Sequence, residues 1–299
     1  MKKFKKIVVV DETKINSVAL EKLKNYAEEV NVFHDYPDSE EEIVDRIKDA
    51  EAVLVSWLTE ITSKIIDQAQ NLKYIGMACS LFDDKSANVA VKHAKDKGIK
   101  VTGIFDYGDP GVIEYVIFSL INLLHGFGNH QWKKMPVELN GRKIGIIGLG
   151  TTGKLLAKAL LALGVEVYYF SKTRKTVWEE TGVNYLELSA LLETCEIISI
   201  HLPKNVTLLD QEEFEKFGSG KVLVNTSLGL AFEEKSFYKW VKQNGNYALF
   251  DEDAKNSLSE EIQHLDNVLI QKKSAGWSQE TKERLSKKVL DNIENYLKN

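Results

Sequence analysis

Three glycines, Gly148, Gly150 and Gly153, follow the apolar run KIGII at residues 143–147 and open an Ala/Leu-rich segment that begins near Thr151. In that order they suit a dinucleotide: Gly148 permits a tight turn, Gly150 withholds a side chain that would collide with pyrophosphate, and Gly153 lets helix and strand pack closely. The unpaired N–H groups of the first helical turn, which holds Thr151 and Thr152, would face the phosphates. A second strand-like run, VEVYYF, leads to Ser171, Lys172, Thr173 and Arg174. At that point an Asp or Glu would hold the ribose hydroxyls of NAD, whereas a serine with basic neighbours suits a 2'-phosphate. NADP is therefore the expected cofactor. NAD stays open, because a basic, solvated turn would leave Ser171 to meet a ribose with little discrimination. The alternative to cofactor binding is a Gly-rich turn needed only for packing.

The elements that must position these residues alternate strand-like and helix-like pieces. KKIVVVD, EVNVFHD, EAVLVSW, LKYIGMA and IKVTGI return after crossovers long enough to be helical, which predicts a parallel sheet. The segment DPGVIEYVIFSLINLLHGFG predicts a long helix entered through Pro110 and Gly111 and released at Gly126 and Gly128. His130 and Trp132 beyond it suggest an interface, and with no third ligand at suitable spacing no metal is expected. The strand-helix rhythm then restarts at GRKIGIIGLG, and SQETKERLSKKVLDNIENYLKN has the periodicity of a final amphipathic helix.

The chain has 299 residues with 43% hydrophobic and 28% charged residues, so two compact domains are expected rather than a disordered chain. Lys and Arg total 39 against 44 Asp and Glu, a formal charge of -5 that gives no general reason to hold nucleic acid or anionic lipid. The two cysteines, Cys79 and Cys195, cannot build a disulfide framework, and a cytoplasmic setting fits them. The opening MKKFKKIVVVDETK has an apolar run too short for a signal-peptide core, and no stretch reaches the length of a membrane span.

NLKYIG, KDKGIKVTG, the VIEY element, GRKIGIIGLGTTGK, IHLP, GKVLVNTSLG and DNVLIQKKSAGW together resemble the D-isomer-specific 2-hydroxyacid dehydrogenase family over almost the full length. The resemblance implies an α/β protein of two Rossmann-like domains with parallel sheets, the cofactor domain inserted into the substrate domain. Residues 1–106 and 278–299 would form the substrate domain and 107–277 the dinucleotide-binding domain with its linking helix. It further implies a homodimer and reversible hydride transfer between a nicotinamide and a small 2-hydroxy or 2-keto acid. His201 and Pro203 of IHLP would lie beside the nicotinamide, and Thr226 would position its ring. Trp57, Phe105, Asp106 and Tyr107 would wall the substrate cleft.

Family chemistry needs an Arg to grip the acid, a His to exchange the proton and an acidic partner for that His. In the Arg position this chain has Leu228, which cannot hold a carboxylate, and in the His position it has Lys273. Lys273 is the expected catalytic proton donor, with Glu252 or Asp253 as candidate partners. The loop GMACSLFDDKSANV lacks the paired glycines of a backbone carboxylate nest. These departures keep a second class of function in view, a noncatalytic NADP(H)-binding sensor or structural protein.

Overall fold

In a computed structural model, residues 2–81, 84, 87–204 and 206–299 are described. Four residues of the 76–88 loop, Phe82, Asp83, Lys85 and Ser86, lie outside that set, so the expected lack of a nest there rests on sequence. The chain divides into two compact units, Met1–Tyr107 with Ser278–Asn299, and Gly108–Trp277.

The first unit holds five parallel strands, β1 (Phe4–Val9), β2 (Ala27–Val32), β3 (Ala52–Val55), β4 (Tyr74–Met77) and β5 (Lys100–Thr102), in the order β2-β1-β3-β4-β5. β3 and β4 are buried along their whole length, which is why they read as unbroken apolar runs rather than alternating ones. The final helix, Gln279–Lys298, is capped by the Ser278 hydroxyl, which accepts from the Thr281 amide. It packs Leu285, Val289 and Ile293 into the same core as Ile7 and Leu54.

The second unit holds β6 (Lys143–Ile147), β7 (Glu166–Phe170), β8 (Asn184–Tyr185), β9 (Ile197–Ile200), β10 (Val222–Asn225), β11 (Tyr247–Phe250) and β12 (Val268–Ile270). All are parallel in the order β12-β11-β10-β9-β6-β7-β8. The direction of chain travel across the sheet reverses at β6, so the crevice beyond the ends of β6 and β9 is the topological switch point where doubly wound sheets bind ligands. The helix Thr151–Ala162 buries Gly153, Leu156, Ala157 and Leu160, a stripe of spacing three, one and three that holds it on the sheet. Each fully buried leucine in that stripe contributes about 2 kcal/mol.

The long helix runs Asp109–His125 and stops at Gly126, whose left-handed φ of 68° is a position glycine fills without strain. Trp132 is not an interface residue. Its indole is buried in the second unit's core and donates to the Gly245 carbonyl, while His130 pairs with Asp266 at 3.1 Å. Cys79 lies buried in the first unit and Cys195 in the second, and burial pushes both thiols up to about 12. Among the described residues no helix is long and apolar enough to cross a membrane, and no cluster of His, Cys, Asp or Glu could hold a metal.

Candidate dinucleotide site

In a parallel sheet every strand leaves by the same edge, so the exits of β6, β7, β9 and β10 gather the residues singled out from sequence. At the β6 exit Gly148 has φ +99°, and a Cβ built there would lie 2.2 Å from the His201 carbonyl oxygen. Only glycine allows β6 and β9 to leave the sheet this close together. A Cβ on Gly153 would lie 2.2 Å from the Gly148 carbonyl, so the helix sits directly on the turn. Gly150, between them, is different, because a Cβ there would meet nothing within 4 Å. Two glycines are dictated by close approach of backbone and the third faces open space at the first turn of a 12-residue helix. This cradle fits a pyrophosphate.

Thr151 and Thr152 occupy that first turn, but the Thr152 hydroxyl donates to the Asp109 carboxylate at the start of the long helix. Its side chain is therefore directed at the protein, and the backbone amides are left to meet phosphate.

At the β7 exit Ser171 is half-buried and Lys172, Thr173 and Arg174 are exposed. No acidic residue stands in that segment of sequence, yet the fold brings one there. The short helix Thr176–Glu179 returns Glu179 to Arg174, which donates to it from Nε at 2.8 Å and from Nη2 at 2.7 Å. The Tyr169 hydroxyl donates to the same carboxylate at 2.9 Å, and the Arg174 guanidinium lies 5.1 Å from the centre of the Tyr185 ring. Arg174's hydrogen bonds hold Glu179 down to about 2, so the pair stays charged at neutral pH. Lys172 has no ion pair among the described residues.

At the β9 exit the His201 ring bonds the buried Ser199 hydroxyl at 2.9 Å, and burial pushes the imidazole down to about 4. It is neutral at pH 7 and its backbone carbonyl abuts Gly148, a role in shaping the turn. Pro203 is exposed just beyond it. Unfolded, His201 would titrate near 6.5. Between pH 6.5 and 4 the unfolded chain therefore binds a proton that the folded chain does not, and stability falls as pH is lowered through that window. Replacing His201 by Asn should remove roughly 2 kcal/mol of that acid-induced loss, measured by denaturant unfolding at pH 7 and pH 4.5.

At the β10 exit the Ser227 hydroxyl accepts from the Leu202 amide and donates to the Ile200 carbonyl, stitching this loop to the β9 exit. Asn225 closes the loop by donating to the Gly229 carbonyl and accepting from the Ser227 amide. The Thr226 hydroxyl has no partner among the described residues, and Leu228 is half exposed at the loop tip.

Lys273 follows β12 and is exposed, without an ion pair or side-chain hydrogen bond among the described residues. The expected partnership with Glu252 is not formed, because Glu252 pairs with Lys255 one helical turn away at 2.7 Å. Asp253 has no ion pair among the described residues either. What Glu252 gives Lys273 is a backbone bond, its amide donating to the Lys273 carbonyl at 3.3 Å. Asp251, which sequence did not single out, is buried and accepts from the Ala275 amide at 2.7 Å and the Ala254 amide at 3.0 Å. It fixes the segment after Lys273. In the first unit, Trp57 stands 54% exposed beyond β3.

Residues 121–272 match the NAD binding domain of the D-isomer specific 2-hydroxyacid dehydrogenases, and the chain belongs to that family of oxidoreductases. A hydroxypyruvate reductase of Blautia hydrogenotrophica is 26% identical over 284 residues, covering 86% of this chain and 85% of the relative. A glyoxylate reductase of Korarchaeum cryptofilum is 27% identical over 285 residues, with 86% and 82% covered. Among solved structures, an acyclic imino acid reductase in complex with NADPH and D-Arg superposes with a TM-score of 0.83 at 27% identity, covering 98% of this chain and 97% of that one. The family and its solved relatives support a nicotinamide cofactor for this chain.

Proposed function

We propose that the protein is an NADP(H)-linked reductase of small 2-keto acids, working in the reverse direction on the 2-hydroxy acids, with NAD(H) as a poorer carrier. The observation that carries this reading is the glycine cradle, closed at Gly148 and Gly153 and open at Gly150, next to a turn with Lys172 and Arg174. Relatives named for hydroxypyruvate and glyoxylate support the substrate class. The unit Gly108–Trp277 binds the dinucleotide, and Met1–Tyr107 with Ser278–Asn299 serves the substrate.

A bound nicotinamide supplies or accepts hydride at the substrate carbon. The amides at the start of the Thr151–Ala162 helix hold the pyrophosphate, Ser171, Lys172 and Thr173 meet the 2'-phosphate together with the Nη1 edge that Arg174 keeps free of Glu179, and Thr226 with the neutral His201 borders the nicotinamide. Lys273 donates the proton that a reduced carbonyl oxygen requires. The protein acts in the cytoplasm, consistent with two free thiols, and as a homodimer, for which the exposed Phe118 and Phe127 at the long helix are candidate contacts.

A second reading is favoured by Leu228 and Lys273 standing where the family chemistry needs an Arg and a His. Hydride addition to a carbonyl leaves an alkoxide that needs a proton, whereas hydride addition to an iminium gives an amine directly. A site without the His and its acidic partner is better equipped for the second, and the similar acyclic imino acid reductase points the same way.

Titration with NADPH and NADH, followed by cofactor absorbance with glyoxylate, hydroxypyruvate, less acidic carbonyls, and 2-keto acids mixed with ammonia, tests both readings. Turnover of keto acids alone supports the first, and turnover only with ammonia supports the second. Binding without turnover on any of them would leave a sensor, and no binding of either dinucleotide would overturn the reading. In the same assay, Lys172→Ala with Arg174→Ala should weaken NADPH at least about tenfold, the loss of a charge-assisted contact, while NADH changes less than about twofold.

A further inference from the structure

The Thr152 hydroxyl donates to Asp109, and this bond joins two helix starts that sequence separates by 43 residues. One is the first turn of the helix that receives phosphate, the other the first turn of the long helix. The long helix is in turn flush with the segment that follows Lys273. A Cβ on Gly111 would lie 2.6 Å from the Ala275 carbonyl oxygen, and one on Gly108 would lie 2.8 Å from that of Gly276. Asp251 anchors the Ala275 amide from the other side. A continuous set of contacts thus runs from the glycine cradle through Asp109 to the backbone that carries Lys273.

We propose that Asp109 is a positioning residue of the dinucleotide site, holding the cradle in register with the Lys273 segment while opposing phosphate affinity. The inference rests on the function proposed above. Two contributions of opposite sign meet at this carboxylate. Its hydrogen bond fixes the first turn of the Thr151–Ala162 helix, and misplacement of a reacting group by a fraction of an ångström lowers turnover steeply. Its negative charge stands one side chain away from the amides that would hold pyrophosphate, and like charges repel. Asp109 is also at the start of its own helix, where a carboxylate is favourable, so the residue is stable there without a cofactor.

The two contributions separate on substitution. Asp109→Asn keeps an oxygen to accept the Thr152 hydroxyl and removes the charge. It should lower the NADPH Kd about threefold and leave kcat within about twofold. Asp109→Ala removes both, so the Kd should fall similarly while kcat at saturating NADPH drops about tenfold. Thr152→Val removes only the donor and should lower kcat by a like factor without tightening NADPH. The double variant Asp109→Ala/Thr152→Val should be no slower than the slower single one. A readout independent of turnover is amide hydrogen exchange at residues 154–156 in the cofactor-free protein, where the Lys154 amide donating to the Gly150 carbonyl is the first bonded amide of the helix; exchange there is expected faster in Asp109→Ala and Thr152→Val and unchanged in Asp109→Asn. Equal kcat in Asp109→Ala and wild type, or equal losses in Asp109→Ala and Asp109→Asn, would overturn the proposal. A wild type that binds neither dinucleotide would refute the function instead, and the exchange measurement would still decide whether the tie exists.

Discussion

Gly150→Ala is expected to unfold at the same temperature as the wild type, within about 2 °C, and yet to bind NADPH about 100-fold more weakly, a difference of about 2.7 kcal/mol. The backbone at Gly150, φ -81° and ψ -158°, is open to any L-residue, and the added methyl meets no protein atom within 4 Å. It would occupy only the space through which a pyrophosphate approaches the amides. Gly153→Ala provides the contrast, because its methyl would sit 2.2 Å from a backbone carbonyl that cannot swing aside. That variant should be destabilised by about 2–3 kcal/mol even without cofactor, the upper part of the usual range of about 1–3 kcal/mol for overpacking. Thermal unfolding of the cofactor-free proteins and fluorescence titration with NADPH separate the two. If Gly150→Ala binds NADPH like the wild type, the pyrophosphate does not lie on this turn.

Lys273→Met should lower kcat for 2-keto acids about 100-fold, the lower end of what a positioned proton donor contributes, and leave the NADPH Kd within about twofold. The expectation follows from the side chain's lack of any competing partner and from the rigid placement of its backbone by Glu252, Asp251 and the two glycines of the long helix. Steady-state rates with a keto acid, alone and with ammonia, decide its role. A variant that loses carbonyl reduction but keeps imine reduction would identify the iminium as the species reduced. Full retention of carbonyl reduction would remove Lys273 from proton transfer altogether.

The cradle was legible in sequence because its determinants are local. Gly148, Gly150 and Gly153 lie within six residues, and the apolar strand before them and the Ala/Leu helix after them fix what each glycine faces. The parallel sheets were legible for a related reason, since strands buried on both faces print as continuous apolar runs. Side-chain partners were not. Glu179 lies five positions beyond Arg174, and only the sharp return of a four-residue helix makes them a pair. The cluster of Tyr169, Arg174 and Glu179 was the available hint. The Glu252 side chain pairs with Lys255 on its own helix, although its backbone amide bonds Lys273 twenty-one positions on, and strand-end contacts of that kind leave no local signature. The Asp109 to Thr152 bond depends on how two helices pack, which no local pattern encodes. Trp132 lies in the core rather than at an interface, since a large aromatic after a helix suits either place and only the packing around it decides which.

The two sulfurs give the molecule an unplanned pair of clocks. Only a thiolate is alkylated at speed, and Cys79 and Cys195 are both screened from water and held far from ionisation. Modification must wait until the surrounding core loosens, and each sulfur belongs to a different unit. The rate at which a reagent labels one or the other therefore times the breathing of that half of the chain, without any engineered probe.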